Sequence, residues 1–104
     1  MKPISSYEFG DEVLRSKLPV IVYLWSRRGG PDCQQLGRQL SALDMGVKMV
    51  SFNVDDNPIN IFSVPCLILY HKGRFFQRVK KPITKIKVIE LLELAKELEK
   101  DCND

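Results

Sequence analysis

The 104-residue chain carries 16 Lys plus Arg against 13 Asp plus Glu, a net charge of +3, with 44% hydrophobic and 28% charged residues and three cysteines. That length and balance fit one soluble domain spanning residues 1–104 and exclude a disordered or fibrous chain. The longest apolar runs, Pro19–Trp25 and Val64–Tyr70, are too short to cross a bilayer, and Met1-Lys2-Pro3-Ile4 lacks the apolar core of a secretory leader. A cytoplasmic protein without membrane contact is therefore expected, and because three cysteines in such a chain cannot all pair internally, no disulfide framework is expected either.

Ser5-Ser6-Tyr7-Glu8 has the spacing of a capping box and predicts a short helix from there to about Lys17, weakened by Gly10 and stopped before Pro19. Val20 to Leu24 is an uninterrupted apolar run, which reads as a strand buried on both faces. Gly29-Gly30-Pro31 breaks the chain, and Pro31 suits the first position of a new helix in which Cys33, Leu36, Leu40 and Leu43 form one apolar stripe, ended by Met45-Gly46. Lys48 to Val54 alternates as a second strand, and Asp55-Asp56-Asn57-Pro58 is turn chemistry. After Val64-Pro65, Cys66–Tyr70 and Phe75–Val79 read as a hairpin closed by His71-Lys72-Gly73-Arg74. Thr84 is a suitable cap for a last helix whose apolar face is Val88, Leu91, Leu92, Ala95, Leu98 and Cys102. Strands separated by helices and closing in a hairpin predict an α/β domain with a mixed sheet.

Charge is unevenly spread. Lys72, Arg74, Arg78, Lys80, Lys81, Lys85 and Lys87 occupy a stretch with no acidic residue, whereas Glu90–Asp104 is mostly acidic in the manner of a solvated helix face. Phe75 and Phe76 lie within the basic stretch, but adjacent strand residues point to opposite faces, so at least one of them is expected in the core. A pI of about 8.8 is also mild for a nucleic-acid binder, and binding through segment 72–87 is the weakest reading.

From about Ser6 to Leu98 the chain resembles the thioredoxin family. The carrying residues are Pro19-Val20-Ile21-Val22-Tyr23-Leu24-Trp25-Ser26, Gly30-Pro31, Asn53-Val54-Asp55 with Asn57-Pro58, Ser63-Val64-Pro65, and the Lys72-Gly73 turn. The resemblance implies a thioredoxin-like fold with a mixed central sheet, helices on both faces, a C-terminal hairpin plus helix, and a cis-proline at Pro65. It also places Gly29 and Asp32 where the family's two active-site cysteines stand, Tyr23 at its buried Asp, Ser51 at the nearby lysine, and Lys80 or Lys81 at the glycine beside the substrate. Neither glycine nor aspartate can act as a thiolate or resolve a mixed disulfide, so a redox-inactive member is expected. Only Ile59–Ser63 separate the Asn-Pro from Val64, which implies a shortened or absent helix there and makes the uncovered face a candidate dimer surface.

Two functions follow. The first is a non-catalytic binding module that engages a protein partner with an acidic segment through Trp25, Arg27, Arg28, Gly29, Gly30, Pro31, Val64, Pro65, Lys80 and Lys81. The Gly29-Gly30 amides at a helix start suit an anionic group, against the alternative of a plain solvated basic rim. The second is an atypical oxidoreductase with Cys33 as nucleophile and Cys66 as resolver, against the alternative that Cys33 is a small apolar residue of its stripe. Cys33, Cys66, His71 and Cys102 contain no pair at ligand spacing, so no metal or cofactor is expected.

Overall fold

Two hydrophobic layers sit on opposite faces of a single sheet, and the alternation of side chains along its strands decides which residues go to which. The computed structural model describes residues 1–43, 46–55 and 64–101. The strands are β1 (Lys2–Ile4), β2 (Val20–Trp25), β3 (Lys48–Asn53), β4 (Cys66–His71) and β5 (Arg74–Val79), and the helices are α1 (Gly30–Ala42) and α2 (Lys85–Asp101). The sheet order is β1-β3-β2-β4-β5. β1 and β2 run parallel to β3, while β2–β4 and β4–β5 are antiparallel. Crossovers through helical segments place the parallel strands, and the Lys72-Gly73 turn places the antiparallel pair.

Ile21 and Tyr23 of β2 and Leu67 and Leu69 of β4 face α1 through Leu36 and Leu40, and α2 through Val88, Leu91, Leu92 and Ala95. Val22 and Leu24, one residue out of phase, join Val50, Phe52 and Cys66 on the opposite face. There Val13 and Phe9 cover them from a short helical segment. Helical elements therefore lie on both faces, but unequally: both α-helices share one. The strand that was expected to be buried on both sides is buried on both, from Val20 through Leu24.

The first helix differs from expectation. Instead of running from Ser5 to Lys17, it is confined to a π-helical segment, Gly10–Leu14, in which Arg15 N–H bonds to the Gly10 carbonyl at 2.9 Å. The capping box is half present, since the Glu8 carboxylate accepts from Ser5 N–H at 3.1 Å. A segment this short, with glycine inside it, has too few bonds to propagate an α-helix. Its register is set by contacts to the sheet: Phe9 packs edge-on against Phe52 and Tyr70, and Glu12 pairs with Lys2 at 2.7 Å and Lys48 at 3.3 Å.

β1 escapes a pattern reading. It is three residues long, only Ile4 is buried, and Pro3 is tolerated because β1 is an edge strand. The expectation of a core Phe at 75 or 76 is also overturned, because both rings are exposed, at 57% and 47%. β5 is the other edge, and no element beyond it covers either ring among the described residues. The Ile59–Ser63 shortening, the Asp56–Pro58 turn, the Met45 helix end and Cys102 fall outside the described residues.

Candidate functional site

The end of β2, the start of α1 and the Val64-Pro65 segment meet at one end of the sheet. Trp25 is half-buried on the α1 side, and Ser26 follows it in extended conformation as a cap for a 3-10 turn, Arg27–Gly29. Ser26 Oγ accepts from Arg28 N–H at 3.0 Å and donates to Asp55 Oδ1 at 2.7 Å. Arg27 N–H donates to Asp55 Oδ2 at 2.8 Å. The Ser26 hydroxyl, then the Arg27 amide, and the charges of Arg28 and Arg27 hold the Asp55 carboxyl below the ordinary aspartate value. The sequence offers the Gly29-Gly30 amides to an outside anion; at the neighbouring Arg27 amide the acceptor is the chain's own Asp55. Asp55 is read in the sequence as turn chemistry and as part of the Asn53-Val54-Asp55 motif, but its contact with residues 26–27 has no local pattern.

Asp55 gives a direct pH prediction. Its folded pKa is depressed, so its contribution to order at this turn is complete above the ordinary aspartate value and disappears as pH falls through the lowered one. The Arg27 amide resonance should titrate in NMR with a midpoint below the ordinary carboxylate range. In Asp55→Asn that resonance should be flat with pH, and an unchanged titration would show that another carboxylate controls the turn.

α1 opens at Gly30, whose φ of +64° lies in the left-handed region that glycine enters without steric cost. The first turns of α1 then separate two hollows. On one side Trp25, Arg27, Cys33, Gln34 and Gly37 line a hollow of about 260 Å³. On the other, Gln35, Leu36, Gln39, Pro65, Lys81 and Ile83 line a cleft of about 550 Å³. Arg27 and Lys81 thus belong to different hollows, which the helical positions 33, 34 and 37 against 35, 36 and 39 explain. Pro65 is buried with a cis Val64–Pro65 bond, Val64 is half-buried, and Lys80 is exposed with its charge acting on Cys66. Arg28, Pro31 and Lys81 are exposed. Sequence reasoning missed Gln35, Gln39 and Ile83, together with the second cis bond, Lys81–Pro82. The signal available was Pro82 itself, directly after the two lysines.

Both described cysteines are free and buried. Cys33 lies beside Tyr23, whose hydroxyl donates to the Cys33 carbonyl; burial, and then the neighbouring Cys33, pushes the Tyr23 phenol well above its ordinary value. Cys66 is paired across strands with Leu24 and packs in that residue's layer, on the opposite face of the sheet. Burial pushes the Cys66 thiol up, with partial opposition from Arg78 and Lys80. Among the described residues no group of three His, Cys, Asp or Glu is placed to hold a metal ion, and no helix is long and apolar enough to cross a membrane.

A mixed five-stranded sheet with two helices on one face, a helix starting at the end of its second strand and a cis-proline entering its fourth defines a thioredoxin-like α/β domain. No family model matches the chain. It is 30% identical over 87 residues to the thioredoxin of Streptomyces clavuligerus, covering 76% of this chain and 80% of that one. It is 29% identical over 99 residues to the thioredoxin of Synechocystis sp. (86% and 92%), and 33% identical over 79 residues to that of Rickettsia typhi (67% and 74%). The chain belongs to the thioredoxin family.

Proposed function

We propose that this thioredoxin-family protein acts in the cytoplasm as a binding module without dithiol chemistry, holding an acidic segment of a protein partner at the former active-site end. One observation carries the reading: Gly29 and Asp32 flank Gly30-Pro31, while the two remaining described thiols are buried on opposite faces of the sheet. Disulfide exchange needs an accessible thiolate and a resolving thiol whose Cα lies within about 7 Å. A sheet between Cys33 and Cys66 opposes that pairing, and the raised Cys66 thiol opposes its ionisation. Exposed Arg27 and Arg28 with half-buried Trp25 supply the orienting charge and apolar contact that recognition requires.

In an insulin-reduction assay the wild-type protein should add nothing to the rate of the buffer thiol, and Cys33→Ser should behave identically. Turnover that disappears in Cys33→Ser would establish the oxidoreductase reading instead. Replacing Arg27 and Arg28 with Ala should reduce partner capture by about tenfold, the scale of losing one or two orienting charges. Equal capture by the double variant would move the binding surface elsewhere.

A further inference from the structure

We propose that the outer edge of β5 is a docking strand for an extended, acidic segment of a partner protein, a second surface independent of the former active site. Among the described residues β5 is the last strand of the sheet and pairs with β4 on its inner side, so its outer edge is the place where a further strand can continue the ladder. Arg74 to Gln77 are all exposed, which is unusual in that two of the four are phenylalanines. Phe75 packs edge-on against Tyr70 and Phe76 against His71, each at 6.3 Å between ring centroids. Tyr70 and His71 are consecutive in β4, so the two rings lie on opposite faces of the sheet. An added strand sends its side chains alternately to both faces and meets both rings. A single nucleic-acid strand stacking its bases along one surface reaches only one of them.

Charge selects the occupant. The stretch from Lys72 to Lys87 contains no acidic residue, and Arg74, Arg78 and Lys80 fall on β5 or directly after it. A second copy pairing along this edge would set these cations against one another, which is unfavourable. The same charges, with the irregular register at Leu69/Tyr70, discourage indiscriminate strand pairing. A segment with two adjacent apolar residues flanked by acidic ones sends one apolar and one acidic side chain to each face, which converts that repulsion into attraction and covers both Phe75 and Phe76.

The test uses a fluorescein-labelled peptide of repeated Glu-Val-Val-Glu, long enough to span β5, followed by anisotropy at low and high salt. The full chain should bind it, more weakly at high salt, and about tenfold more weakly after Phe75→Ala/Phe76→Ala or after Arg74→Glu. Both variants change exposed side chains, and unaltered melting curves confirm their folding. The comparison is made in the Arg27→Ala/Arg28→Ala background, so that the former active-site surface does not contribute, and there a peptide N-methylated at alternate backbone nitrogens should not bind. Absence of binding at low salt, equal binding of the N-methylated peptide, full affinity in both β5 variants, tighter binding of oligo(dT), or dimers that block the edge would each overturn the proposal.

Discussion

The double substitution Gly29→Cys/Asp32→Cys is expected to give the protein insulin-reducing activity well above that of the wild type. Residue 29 ends the 3-10 turn and residue 32 lies in the first turn of α1, so two thiols there would have the spacing of a Cys-x-x-Cys pair at a helix start. The positive end of the α1 dipole favours the thiolate of the first cysteine. Lowering its pKa from about 8.5 to about 7 raises the thiolate fraction at neutral pH by about fifteenfold over an ordinary surface thiol. The rate should stay below that of a full dithiol enzyme, because the family resemblance implies Tyr23 and Ser51 in place of its buried Asp and nearby lysine, and the Tyr23 phenol is held protonated by burial. Both activity and the redox state of the new pair must be measured. A pair that cycles between dithiol and disulfide without reducing insulin would mean that substrates no longer reach this surface. Wild-type activity would refute the binding-only reading.

The positions of the inner strands, and the hairpin, were readable because apolar runs, alternation and turn chemistry are carried by local sequence. Val20–Leu24, Lys48–Asn53 and Cys66–Tyr70 announce themselves by β-branched and aromatic content, and the α1 stripe of Cys33, Leu36 and Leu40 is buried as its spacing requires. What was hidden depends on position within the finished sheet. Phe75 and Phe76 are as apolar as any core residue, yet the strand that holds them ends up at an edge. The helical period from Ser5 to Lys17 yields to the π-helical segment because Phe9 and Glu12 are fixed by partners on β1, β3 and β4. The same holds at the site. Gly30-Pro31 marks the helix start, but nothing local shows that Asp55 would reach the Arg27 amide or that α1 would part Arg27 from Lys81.

Gly73→Ala should be the most damaging single-methyl change in the described structure. Lys72 and Gly73 form the two-residue turn between β4 and β5 with φ of 54° and 78°, the paired left-handed geometry that matches the twist of a hairpin. An alanine there incurs about 1–2 kcal/mol for the left-handed backbone. Its Cβ would also lie 2.7 Å from the Leu14 carbonyl oxygen, closer than nonbonded atoms approach. Because the neighbour is backbone, relief requires moving either the turn or the segment that carries Val13 into the core, at about 1–3 kcal/mol more. Together these destabilise by about 2–5 kcal/mol, which lowers the melting temperature by about 10 °C or more. Gly73→Asn separates the two causes, since asparagine tolerates the left-handed region but still carries a Cβ. If backbone conformation alone were responsible, Gly73→Asn would melt near the wild type. The contact with Leu14 requires it to fall nearly as far as Gly73→Ala, and Lys72→Gly, which relaxes the neighbouring left-handed residue without adding atoms, should be tolerated.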